Sequence, residues 1–221
     1  MNRLCSTLLA LVLAVVLATP GLGQNAMVGV KAGVDFADLG GDFEDVIETS
    51  SDIKTGFSVG GFVGVDLHQM FRLQGEVQYV QKGAKAKEAG AEATFKVNYI
   101  EVLVPLTLMI PVEGGGVTPR LYAGPSVAFE LDCKAELSEG GVSVEIDCGE
   151  PGFDAPTKSI DYGIFFGGGA DIAVGPGKIT LDVLYNLGLG DIADEDPTDP
   201  SVDISNRNIQ ILAGYGFSIG S

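Results

Sequence analysis

From residue 28 onward the chain alternates apolar and polar side chains in eight separate stretches, and a period of two is the signature of a β-strand with chemically different faces. The first stretch sets Val28, Val30, Ala32, Val34 and Phe36 against Gly29, Lys31, Gly33 and Asp35. The second carries Phe57, Val59, Gly61, Val63, Val65 and Leu67, and only Phe62 breaks its polar series. The third opposes Phe71, Leu73, Gly75, Val77 and Tyr79 to Arg72, Gln74, Glu76 and Gln78. In the fourth, Ile100, Val102, Val104, Leu106, Leu108 and Ile110 oppose Tyr99, Glu101, Leu103, Pro105 and Thr107. Four more follow, centred on Leu121–Phe129, Tyr162–Val174, Ile179–Leu189 and Ile209–Phe217, with Arg120, Asp161, Asp171, Asp182 and Asn208 among their polar positions.

The connections alternate in length. Residues 37–54, 83–93, 132–159 and 190–205 are long links, while 68–70, 111–118 and 175–177 are short ones. Long and short links in strict alternation predict an all-β, eight-stranded antiparallel up-and-down barrel with turns at one rim and free loops at the other. An even strand count places both termini at the short-turn rim, the periplasmic side of such a barrel.

Period alone leaves two arrangements open: the apolar face outward against lipid, or inward around a cavity as in a soluble ligand-binding barrel. The polar series favours the first. It is rich in glycine and holds opposite charges, Lys31, Arg72 and Arg120 with Glu76, Glu101, Asp171 and Asp182, a set able to pair across a narrow lumen as a structural network. Aromatic residues such as Phe36, Phe57, Phe71, Tyr79, Phe129, Tyr162 and Tyr185 gather near the ends of the apolar series, as interfacial girdles do. A transmembrane barrel of the outer membrane of a Gram-negative-type bacterium is therefore expected, with outer-membrane lipid as its surroundings.

Residues 1–23 fit a secretory signal peptide: Arg3 gives a positive start, residues 8–17 are an apolar run too short to span a bilayer, and small residues lead to a cleavage site near Gly23 and Gln24. Residues 24–221 form the expected barrel domain. Cys5 leaves with the signal, and Cys133 and Cys148 remain in an oxidising compartment, where two cysteines pair as a disulfide that staples the longest loop.

The net charge of -17 argues against a nucleic-acid partner. The four long links hold 21 of the 30 acids and only five bases, so the charge concentrates at the long-loop rim. The run Asp191, Asp194, Glu195, Asp196, Asp199 and Asp203 is the weak metal candidate, with Asp194, Glu195 and Asp196 at its centre, but it lacks the spacing of a calcium loop and reads first as a solvated acidic loop. His68 is the only histidine and falls in a short turn, so no triad, zinc site or cofactor is expected and the chain reads as non-enzymatic.

Several stretches resemble the PorT-type outer membrane protein β-barrel domain family, often labelled porin family protein. They are Gly29-Val-Lys-Ala-Gly-Val-Asp-Phe-Ala-Asp-Leu39, Leu73-Gln-Gly-Glu-Val-Gln-Tyr-Val-Gln-Lys-Gly-Ala-Lys85, Asn98-Tyr-Ile-Glu-Val102 with Pro105-Leu106, Pro119-Arg-Leu-Tyr-Ala-Gly-Pro-Ser126 and Tyr185-Asn-Leu-Gly-Leu189. The family places its proline directly after Tyr-Leu-Glu-Ile, whereas Leu103 and Val104 intervene here, and Phe217 is followed by four further residues where the family tends to stop at an aromatic. The resemblance implies a barrel inserted by the barrel-insertion machinery through its C-terminal strand, and no particular activity. Three functions compete: an anchored barrel displaying acidic loops for surface interaction, lipopolysaccharide contact or envelope maintenance; a narrow porin-like channel; and a soluble periplasmic ligand-binding barrel.

Overall fold

The structure is a computed structural model, and it describes residues 26–41, 51–88, 91–114, 116–139, 142–148, 158–190 and 204–219. Eleven antiparallel strands run in chain order: β1 (Ala26–Gly41), β2 (Ser51–His68), β3 (Phe71–Lys82), β4 (Ala84–Glu88), β5 (Ala91–Leu103), β6 (Leu106–Met109), β7 (Val117–Glu139), β8 (Val142–Asp147), β9 (Ile160–Val174), β10 (Gly177–Gly188) and β11 (Ile204–Ile219). β1 pairs with β2 on one side and β11 on the other. The ladder continues from β2 through β3 with β4, β5 with β6, β7, β9 and β10 back to β11, so the sheet closes on itself as an up-and-down cylinder.

The eight expected runs therefore become eleven strand segments, and each addition has a local cause. β4 lies inside the link expected at residues 83–93: pairing carries on past the third run, and Gly83, at φ +132°, separates β3 from β4. The fourth run divides into β5 and β6 at Val104 and Pro105, because proline has no N–H to give to a ladder. The neighbouring strands still bond across the break: Val104 N–H donates to the Pro125 carbonyl at 3.2 Å and Gln74 N–H to the Pro105 carbonyl at 3.0 Å. The third addition, β8, lies inside the link expected to be an open loop. Strands also overrun the expected loop boundaries, with β1 continuing to Gly41 and β7 to Glu139. Alternation is required only where one face meets lipid, whereas backbone pairing continues wherever a neighbouring strand offers its edge.

The apolar series faces outward. Val30, Phe57, Leu121, Tyr162, Phe166, Val183 and Ile211 are each about half exposed or more, and they coat the cylinder. The polar series faces inward, where Lys31, Asp35, Arg72, Glu76, Glu101, Arg120, Asp171 and Asp182 are buried. A soluble barrel with its apolar series around a cavity is excluded by this arrangement. Outward aromatic pairs stand at both ends, Phe57 with Tyr79 and Phe166 with Tyr185 towards the loops and Tyr215 with Phe217 towards the turns. Phe62 keeps its inward register despite being apolar, with the Lys31 ammonium 5.2 Å from its ring centre.

Candidate functional site

The lumen is built in tiers. Nearest the short-turn rim, the side chains of β3, β1, β10, β7 and β9 form one zigzag of ion pairs. Glu76 Oε2 lies 2.8 Å from Lys31 Nζ, which lies 3.7 Å from Asp182 Oδ2. Asp182 Oδ1 is 2.8 Å from Arg120 Nη2, and Arg120 Nε is 2.8 Å from Asp171 Oδ1. Asp171 Oδ2 accepts from Arg72 Nη1 at 3.0 Å, and Arg72 Nε reaches Asp66 Oδ1 at 2.6 Å. Gln74 and Gln78, flanking Glu76 on β3, each donate an amide N–H to one of its oxygens. Six of the seven interior ions expected from the sequence thus join one connected chain. Two glycines of β9 make the room: a Cβ on Gly169 would stand 2.6 Å from Asp182 Oδ1, and one on Gly167 would stand 2.8 Å from the Tyr122 ring.

Above this tier part of the lumen turns apolar. Leu103, Tyr122, Phe165, Leu184 and Leu212 come from five different strands and form one buried cluster, with the buried Gln210 opposite Leu184. The inward positions of β10 show the layering in miniature, since Asp182 belongs to the ionic tier, Leu184 to the apolar layer and Asn186 to a second polar tier.

Glu101, the seventh expected ion, belongs to that second tier. Its Oε1 accepts from Lys82 Nζ at 3.0 Å and from Asn186 Nδ2 at 2.6 Å. Asn206 donates to Asp161 Oδ2 at 2.8 Å and Asn208 to Asp35 Oδ1 at 2.9 Å, while Lys54 Nζ donates to the Lys82 carbonyl at 3.0 Å. Lys54 and Lys82 were not foreseen as interior ions. The signal was present: Lys82 continues the two-residue step Gln74, Glu76, Gln78, Val80, and Lys54 stands two steps below Ser58.

With a closed cylinder, an apolar coat and an ionic lumen in place, a comparison of sequence decides the class. The description "Outer membrane protein beta-barrel domain" matches residues 22–194, most of the chain. The chain belongs to this family. The barrel is accordingly an integral protein of the Gram-negative outer membrane, and lipid is the environment of its apolar coat. No curated protein matches it in sequence. Among solved structures, it is similar to Neisserial surface protein A at 18% identity, covering 86% of this chain and 96% of that one with a TM-score of 0.48. It is similar to the outer membrane protein OprG of Pseudomonas aeruginosa at 10% identity, 90% and 98% coverage and a TM-score of 0.48. Likeness to Ail, the attachment invasion locus protein of Yersinia pestis, stands at 14% identity, 88% and 100% coverage and a TM-score of 0.43. Membership rests on the family match alone.

At the long-loop rim, this outer membrane barrel extends into a sheet made from β4, the first part of β5, the last part of β7 and β8. Cys133 and Cys148 close it with a disulfide across a sequence separation of 15, Cα to Cα 5.4 Å. One extra residue on β7, Leu131, shifts the register between Asn98 and Tyr99. A bulge of this kind turns the following side chains to the other face. As a result the lumen-side face changes character: Val97, Cys133, Ala135 and Cys148 are buried there, and Leu137, Val142 and Val144 continue it into the open at 44%, 68% and 53% exposure. The opposite face holds Lys96 against Glu136 and Lys134 against Glu145, the latter at 2.6 Å. The Lys134 ammonium hydrogen-bonded to Glu145 holds that carboxyl below its ordinary range, and Glu145 raises Lys134 in turn.

His68 lies exposed at the end of β2, beside the first short turn, where its Nδ1 accepts from the Met70 N–H at 3.4 Å. Asp194, Glu195 and Asp196 lie outside the described residues. Among the described residues, no group of three or more His, Cys, Asp or Glu side chains is arranged to hold a metal ion.

Proposed function

We propose that the protein is a sealed, non-enzymatic barrel of the PorT type that anchors acidic loops at the cell surface for surface interaction or envelope maintenance. The observation that carries this reading is the buried apolar cluster of Leu103, Tyr122, Phe165, Leu184 and Leu212 between two buried ionic tiers, since it fills part of the lumen with side chains that offer a passing ion little solvation. Eight pairing positions around a barrel leave little lumen beyond what side chains fill. In this reading residues 1–23 are removed on export and residues 24–221 form the mature domain. The barrel-insertion machinery engages β11, the long-loop rim faces outward, and its acidic loops meet lipopolysaccharide through bridging divalent cations.

Planar-bilayer recording on the refolded protein tests the seal. A closed baseline at moderate voltage is expected, unchanged by Glu76→Ala. Reproducible single-channel steps that Arg72→Ala or Glu76→Ala alter would replace this reading with a narrow porin-like channel.

A further inference from the structure

β8 is an edge strand: among the described residues its ladder runs to β7 alone. The Cys148 N–H donates to the Cys133 carbonyl at 3.1 Å, which fixes Cys133 and Cys148 as a hydrogen-bonded pair. Antiparallel pairs alternate, so Ala135 with Ile146 and Leu137 with Val144 are bonded pairs as well. The intervening residues Ser143, Glu145 and Asp147 consequently direct their N–H and C=O groups away from β7, towards the free edge. Such an edge is a template for another strand.

The two faces of β8 define what that strand would look like. Val142, Val144 and Ile146 lie on the apolar face with Leu137, whereas Ser143, Glu145 and Asp147 lie on the polar one. The edge belongs to a chain of net charge -17 whose acids concentrate in the long links around it. A second copy would bring the same acids into contact, and like charges opposed across a strand pair destabilise it. A cationic strand meets attraction instead, both in approach and in register.

We infer that the free edge of β8 takes up an extended polypeptide segment of a partner protein in which apolar and basic residues alternate, as a strand added to the sheet of β4, β5, β7 and β8. Its apolar side chains pack on Val142, Val144 and Leu137, its lysines or arginines face Asp147 and share Glu145 with Lys134, and its backbone bonds to Ser143, Glu145 and Asp147. This partner class rests on the reading of the barrel as a surface anchor and gives that reading its ligand chemistry.

The test uses the full barrel in lipid nanodiscs with its disulfide intact, and a capped peptide of alternating lysine and valine as the probe. The expected result is saturable binding, with slowed hydrogen exchange at the amides of Ser143, Glu145 and Asp147. Ser143→Pro removes one edge N–H and is expected to weaken binding about tenfold, while the heat-modifiable gel shift shows the barrel still folded. The same peptide N-methylated at alternate residues is expected not to bind, and this arm needs no protein variant. A peptide of alternating glutamate and valine that binds equally well, binding indifferent to N-methylation, or self-association of the barrel through β8 would each overturn the inference. Because none of these readouts measures conductance, an open channel in the bilayer recording would sink the sealed anchor separately from the edge.

Discussion

Asp171 has two guanidinium groups on one buried carboxylate, Arg72 on Oδ2 and Arg120 on Oδ1, and removing it leaves both cations short of a partner inside the lumen. Arg72 keeps Asp66 and Arg120 keeps Asp182, so neither charge is left wholly unpaired. Asp171→Ala is therefore expected to lower stability by about 1 to 3 kcal/mol, the cost of lost partners at buried charged groups, in guanidinium titrations of the protein refolded into vesicles. A loss well under 1 kcal/mol would mean that water or a neighbour already satisfies the arginines. Glu145→Gln, on the exposed hairpin, is expected to leave the same midpoint in place. The zigzag from Glu76 to Arg72 was legible in the sequence because each member falls on the inward parity of an alternating stretch. Lys54 and Lys82 escaped because the outward apolar partners of that parity thin out near the loops, so the pattern that marks a residue as interior fades before the interior ends.

Along a strand, adjacent residues live in different solvents. On β10, Val183 points to lipid at 52% exposure while Asp182 is buried in the ionic tier. Val183→Arg is expected to cost about 2 to 4 kcal/mol if its position lies near the bilayer midplane. Asp182→Asn is expected to weaken the Arg120 and Lys31 contacts without altering detergent or lipid uptake, and equal tolerance at the two sites would contradict the assignment of faces. The outer hairpin follows a different rule. Its apolar side turns to the lumen side and its ions turn away, an inversion that begins at the extra residue Leu131. The link 132–159 does hold a short alternation, Val142, Val144 and Ile146 against Ser143, Glu145 and Asp147, but six residues set among acids and glycines read as loop, and β8 takes its place through pairing with β7 and the disulfide. Cys133→Ser combined with Cys148→Ser is expected to raise hydrogen exchange through 134–147 while the barrel midpoint holds, and unfolding of the whole barrel in that variant would contradict the hairpin's independence. The Glu145 carboxyl, held low by Lys134, keeps its pair above the ordinary carboxylate range. As pH falls through its depressed pKa the pair is lost, so the protection of the hairpin amides relative to their intrinsic exchange rates falls in acid before that of the barrel.

At the scale of the molecule, closure is what makes these placements consistent. The alternating links gave the topology, and the antiparallel neighbours follow it around the cylinder. The strand count differed because Pro105 interrupts a ladder that the side-chain pattern carries straight through, and because β4 and β8 form inside links expected to be loops. The acidic run with Asp194, Glu195 and Asp196 lies outside the described residues, and its proposed divalent-ion contact is a property of the surface rather than of the barrel. The claim beneath the rest is that apolar side chains coat the outside of a closed cylinder whose interior is ionic, and the absence of tryptophan from the chain allows a clean reading of it. A single tryptophan placed at Val183 or at Tyr122 is the only indole in each variant, so quenching by lipids brominated on the acyl chains reports which one meets hydrocarbon. Val183→Trp is predicted to be strongly quenched and Tyr122→Trp to be shielded; quenching of Tyr122→Trp with Val183→Trp unaffected would contradict the account.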